Sequence, residues 1–183
     1  TAGRVEFMGK EIRVKSPGDL YEMGVGYIPE NRREEGIVPL QTVRFNTTLK
    51  VLSKFIKGVS VNTRLETEIA GKYIDSMSIK VSSQLAKLQN LSGGNQQKVV
   101  IASWLASDPK LLIMDEPTRG IDVGAKAEIY SLMNDLAKQG IAIIMISSEL
   151  PEIINMSDRV VVMREGKVSK IINHADATQE EIM

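Results

Sequence analysis

Leu111-Leu112-Ile113-Met114 is an apolar run with no polar alternation, and it ends in Asp115-Glu116. So short and uniform a run reads as a strand buried on both faces of a parallel sheet, with its two acids at the carboxyl end, the rim where ligands gather in open α/β sheets. Ile141 to Ile146 is a second run of the same kind. Between them Ile129, Leu132, Met133 and Leu136 form a one-sided helical stripe, and Gly140 is placed to cap it. Strand, helix, strand in this pattern implies a right-handed parallel crossover, and hence an α/β fold.

Upstream stands a glycine turn, Leu91-Ser92-Gly93-Gly94-Asn95-Gln96-Gln97. Ser92 is a natural helix cap, and two glycines leave no side chain between the backbone and an approaching phosphate. The unpaired N–H groups and positive dipole end of the helix complete an anion site. Val99 to Ala106 is apolar almost all round, so the helix that follows should be largely buried, Trp104 with it as a core residue.

The 183 residues make about one domain's length, enough for a sizeable core. Acidic and basic residues balance at 23 each, so no global field favours nucleic acid or an anionic membrane. The absence of cysteine excludes disulfides and thiolate chemistry, and a single histidine, His174, argues against a histidine-based metal site or triad. No apolar run is long enough to span a bilayer.

Arg4 to Phe7 and Glu11 to Val14 suggest a hairpin around Met8-Gly9-Lys10, followed by a helix starting at Ser16-Pro17-Gly18-Asp19 and closed by Gly24, and by a strand from Val25 to Ile28. From Thr42 to about Leu88 the pattern is helical, with Val43, Leu49, Leu52 and Phe55 as core candidates and a capping box from Thr63 to Glu66. A short helix around Leu150 to Met156, strands at Arg159 to Met163 and Lys167 to Ile172, and a helix opened by Thr178 and Glu181 complete the expectation.

The ordered pair of motifs resembles that of ABC-type ATPases: LSGGNQQ is similar to their signature motif, and LLIMDEP to their Walker B strand. Thr118-Arg119-Gly120-Ile121-Asp122 stands at the family's D-loop. The resemblance implies a P-loop NTPase-like parallel sheet flanked by helices, a helical subdomain over about 40–95 ending in the signature, an α/β core from 1–39 and 96–183, and a small antiparallel part.

It also implies ATP and magnesium as ligands. Asp115 would be the magnesium ligand and Glu116 the general base, with Ser92, Gly93, Gly94, Asn95 and Asp122 contacting nucleotide. Two positions depart from the pattern: Glu30 occupies the Q-loop glutamine position, and Ser148 that of the switch histidine. A carboxylate adds negative charge near phosphates, and a serine carries no titratable ring. Asn95 replaces the glutamine that usually ends the signature.

No G-x-x-x-x-G-K-[ST] occurs in the sequence, so most of the phosphate grip is missing, and truncation before Thr1, with loss of the first strand and P-loop helix, is the expected reason. The chain by itself is expected to bind ATP poorly.

The wording from Asp115 to Lys126, Ser147-Ser148-Glu149-Leu150-Pro151-Glu152, and Met156-Ser157-Asp158-Arg159-Val160 resembles the carboxyl-terminal ATPase half of bacterial ribose, galactose and xylose importers. That resemblance implies an amino-terminal ATPase domain of the same polypeptide and transmembrane permease subunits as partners, a periplasmic sugar-binding protein as an indirect one, and no nucleic acid. It places the protein peripherally on the cytoplasmic face of the inner membrane. Two alternatives stand beside it: a catalytically degenerate partner that only donates its signature to the other ATPase site, and an ABC-type ATPase outside transport.

Overall fold

The computed structural model describes residues 3–57 and 60–183; Thr1 and Ala2, part of the segment expected to follow a P-loop, lie outside them. Three parallel strands carry the architecture: β3 (Val25–Ile28), β6 (Leu111–Asp115) and β7 (Ala142–Ile146), in the order β3-β6-β7. β6 and β7 are joined through α5 (Val123–Lys138), as the apolar spacing predicts.

The register puts Tyr27, Ile113 and Ile144 on one face of the sheet, and Ile28, Met114 and Met145 on the other. The second face is the better covered, fully so at β3 and β6 and partly at β7. There α4 (Gly93–Leu105) and α5 bring Val99, Val100, Ile101, Ala102, Ile129, Met133 and Leu136 into one core with Ile28, Leu112 and Met114. The expectation that both strands are buried on both faces is therefore corrected. Leu112 and Met114 are wholly buried, but Leu111 and Ile113 are only half so, and in β7 Ile144 and Ile146 are 50% and 48% exposed. No described element packs on that face as α4 and α5 pack on the other.

Antiparallel pieces flank the sheet. β1 (Val5–Phe7) pairs with β2 (Lys10–Ile12) through the expected turn, and β8 (Arg159–Arg164) with β9 (Lys167–Asn173) around Glu165-Gly166. Between β2 and β3, α1 (Pro17–Glu22) starts on a capping box in which Ser16 and Asp19 exchange hydrogen bonds. α6 (Leu150–Met156) and α7 (Gln179–Ile182) stand where the sequence places them.

The 40–95 region is less helical than its pattern suggests. α2 (Val43–Thr48) is capped by Thr42 and passes into a 3₁₀ stretch at Leu49–Phe55; a small hairpin, β4 (Ile56–Lys57) with β5 (Ser60–Val61), comes before α3 (Thr63–Ser76). Val43 and Phe55 are core as expected, whereas Leu49 is on the surface.

The capping box expected from Thr63 to Glu66 is not formed. Asn62 caps α3, accepting from the Leu65 N–H at 3.1 Å. Glu66 is buried instead, where it accepts from the Thr48 hydroxyl at 3.1 Å and pairs with Arg44 at 3.3 Å. A half-buried arginine and a buried hydroxyl together outcompete the local cap for that carboxylate.

Trp104 is half-buried against Tyr21, with the Lys50 ammonium 4.3 Å from its ring centre. Its role is packing, as read from the sequence.

Candidate functional site

Because β3, β6 and β7 run parallel, their carboxyl ends meet at one rim, and each delivers a residue singled out from the sequence: Glu30 just past β3, Asp115 and Glu116 at the end of β6, Ser148 past β7. Asp115 accepts a hydrogen bond from the Tyr27 hydroxyl at 3.0 Å. Burial raises the Tyr27 phenol above its usual range, and the Asp115 carboxylate adds to the effect, so that donor stays protonated.

Glu116 adopts the left-handed conformation, φ +46°, which is uncommon for a side chain of its kind and typical of strained site residues. Its backbone N–H donates to the Ile146 carbonyl at 2.8 Å, and its carboxylate accepts from the Ser148 N–H at 2.8 Å. The residue at the switch position thus meets the candidate base through its backbone amide, and its hydroxyl remains on the exposed surface.

The loop after β7 is held by a buried carboxylate that sequence reasoning missed. Glu152 in α6, 2% exposed, accepts from the Thr118 hydroxyl at 3.0 Å and from the Ser147 hydroxyl. Lys126 in α5 adds a contact at 2.7 Å to Glu149. These bonds tie the loops after β6 and β7 together around Glu116.

The glycine turn lies on the other side of the Pro117–Asp122 segment. Ser92 caps α4, accepting from the Asn95 backbone N–H at 3.5 Å and from its side-chain amide at 2.9 Å, while the Asn95 oxygen accepts from the Lys80 N–H at 2.8 Å. Asn95 is therefore a bracket for its own turn.

The two glycines have a further reason to be there. A Cβ on Gly94 would stand 2.5 Å from the Ala125 Cβ, and one on Gly93 would stand 2.8 Å from an Arg32 nitrogen. Ser92 is exposed and Gly94 is buried, so the surface offered to a phosphate is Ser92, Gly93 and the free N–H groups. Asp122 caps α5, accepting from the Ala125 N–H at 2.9 Å.

Glu30 forms an ion pair with Arg119. Arg32 donates to the carbonyls of Arg119 and Gly120. Neither arginine carried a signal in the sequence, because their partners are distant along the chain. Among the described residues no three acidic or histidine side chains gather closely enough to hold a metal. Asp115 and Glu116 could supply part of a magnesium shell, with phosphate and water completing it.

The ABC transporter family model matches residues 1–119. The chain belongs to the ABC transporter family. It is 49% identical, over its whole length, to the ribose import ATP-binding protein of Caldanaerobacter subterraneus subsp. tengcongensis, and it covers 37% of that relative. The xylose import ATP-binding protein of Thermoanaerobacter pseudethanolicus is 48% identical over 99% of the chain, which covers 36% of it. The galactose/methyl galactoside import ATP-binding protein of Clostridium tetani gives the same identity over 99% of the chain and 36% of its own length.

The chain thus spans little more than a third of these curated relatives. Among solved structures, an ATP-binding cassette of an ABC transporter superposes with a TM-score of 0.82 over 99% of this chain and 75% of its own, at 24% identity. A second cassette, bound to ADP and phosphate as a dimer in a post-hydrolysis state, gives 0.77 over 95% of this chain and 74% of its own, at 21% identity. These likenesses establish the ABC cassette fold expected from the motifs.

Proposed function

We propose that this chain is a segment of the ATP-binding protein of a bacterial monosaccharide importer, coupling ATP binding and hydrolysis to sugar uptake. The observation that carries this reading is the rim where Asp115 and Glu116 end a central parallel strand beside a switch-position amide. It stands in a chain about half identical to sugar import ATP-binding proteins.

In this reading Asp115 binds magnesium, with Tyr27 fixing its orientation. Glu116 orients and deprotonates the attacking water, and the Ser148 N–H holds its carboxylate in place. Bound magnesium would neutralise charge developing on the transferred phosphoryl group. Ser92 and Gly93 meet a nucleotide held by the P-loop of an amino-terminal ATPase domain, and Asp122 lies at that junction. Permease subunits on the membrane and, through them, a periplasmic binding protein are the partners. Relatives named for ribose, xylose and galactose are equally similar, so sugar choice lies outside this segment.

A second reading is favoured by one contact: Glu30 is engaged by Arg119, away from any water-holding role. The domain would then serve as a signature donor with negligible turnover at its own site. Two substitutions in the full-length protein decide between them. Replacing Ser92 with Arg should abolish most hydrolysis under either reading, and unchanged hydrolysis would refute both. Glu116→Gln should lower kcat by about a hundredfold or more if this site turns over in obligatory step with its neighbour, and only slightly if it is a donor.

A further inference from the structure

The segment leaving β3 grips the turn after β6 at two points. Glu30 pairs with the Arg119 side chain, and Arg32 reaches the Arg119 carbonyl at 2.9 Å and the Gly120 carbonyl at 3.2 Å. The same guanidinium lies across the glycine turn, since a Cβ on Gly93 would stand 2.8 Å from the Arg32 nitrogen that serves Gly120, and 3.3 Å from the Gly120 oxygen itself.

Arg32 is therefore held between two backbone turns, at one side of an open cleft of about 300 Å³ lined also by Glu30, Asn31, Arg33 and Arg119. Its Nε is buried and finds no acceptor among the described residues. An N–H stripped of water without a partner costs free energy, so the placement is sustained by the other bonds of the fork. Arg32 to Gly36 form a single π-type turn, a geometry that recurs at functional positions.

We propose that Arg32 is the positioning residue of the glycine turn: its guanidinium joins the β3-exit segment, the Arg119-Gly120 turn and the amino end of α4 into one body, so that the aim of Ser92 and Gly93 at a triphosphate follows the position of the β3-exit segment. The proposal rests on the nucleotide reading of that turn given above. A planar fork can hold two successive carbonyls and present a flat face to Gly93; a lysine ammonium does neither.

The test uses the full-length two-domain protein with its permease, measuring kcat and KM for ATP and the thermal midpoint of Arg32→Ala, Arg32→Lys, Gly93→Ala and the Arg32→Ala/Gly93→Ala pair. Arg32→Ala should lower kcat about tenfold with KM held within about twofold, and Arg32→Lys should restore little of it. Gly93→Ala should be severe by itself and cost clearly less in the Arg32→Ala background, where the nearer of the two atoms it strikes is gone and only the Gly120 oxygen at 3.3 Å remains.

Losses in kcat that simply multiply would overturn the positioning role, even if the midpoints show coupling, because the contact would then be structural only. A large rise in KM with kcat intact would overturn it equally. Hydrolysis that ignores Ser92→Arg would defeat the nucleotide reading, and this proposal with it; sensitivity at Ser92 with multiplying losses at Arg32 and Gly93 defeats the proposal alone.

Discussion

Gly94 shows how much one side chain can decide. With 2.5 Å separating its would-be Cβ from Ala125, Gly94→Ala must push the amino ends of α4 and α5 apart. The expected cost is about 1–3 kcal/mol, read as a lower urea midpoint, with Ala125→Gly recovering part of it. An unchanged midpoint would mean that the helices slide freely past each other. Glu116 is the opposite case, a residue in a disfavoured backbone conformation whose carboxylate is fixed by a neighbour's N–H. Legibility divides at this scale. Asp115 and Glu116 are readable because an acid pair closing an apolar run is rare. Arg32, Arg119 and Glu152 look like solvated charges, since nothing local distinguishes an arginine that will bond a carbonyl 88 residues away.

At the level of elements, α4 and α5 are joined by a buried charge. The Lys98 ammonium, in a side chain only 6% exposed, sits 2.7 Å from Glu128 and donates also to the Ser78 carbonyl. The Lys98 hydrogen bond and charge, with Lys80 behind them, hold the Glu128 carboxyl below its usual 4.5. A depressed folded value means that this contribution to stability is full above pH 4.5 and is lost as pH falls through the lowered value. The urea midpoint should therefore drop as the solution is acidified below that point, and Lys98→Met should flatten the dependence. A Lys98→Met protein with the same acid sensitivity as the parent would show that other carboxylates govern it. Element identity was largely legible. The helices α4, α5 and α6 and the two flanking hairpins follow from periodicity and turn residues. The 3₁₀ stretch Leu49–Phe55 and the strands Ile56–Lys57 and Ser60–Val61 do not: their apolar spacing suits a helix, whereas Val51 and Phe55 pack with Ala106 and Tyr73 from a 3₁₀ turn.

For the molecule as a whole, the uncovered sheet face and the missing phosphate loop bear on the same experiment. Tyr27, Ile144 and Ile146 present apolar surface beside the acids, and no glycine-rich lysine loop stands anywhere in the chain to grip a triphosphate. Titration with ATP and magnesium should give no appreciable affinity for this chain, and clear binding for the longer protein of which it is proposed to be a segment. Tight binding by the chain itself would show that the signature turn and the acids suffice. From its residues alone the sequence determined the family, the parallel strands and the acids at their ends, because burial period and motif order are local properties of a chain. Only the tertiary structure decided which strand face is covered, which charge meets which carbonyl, and why Gly94 must be glycine. Those outcomes depend on distances between segments that are far apart in the polypeptide, and side-chain order along one strand or helix carries no record of them.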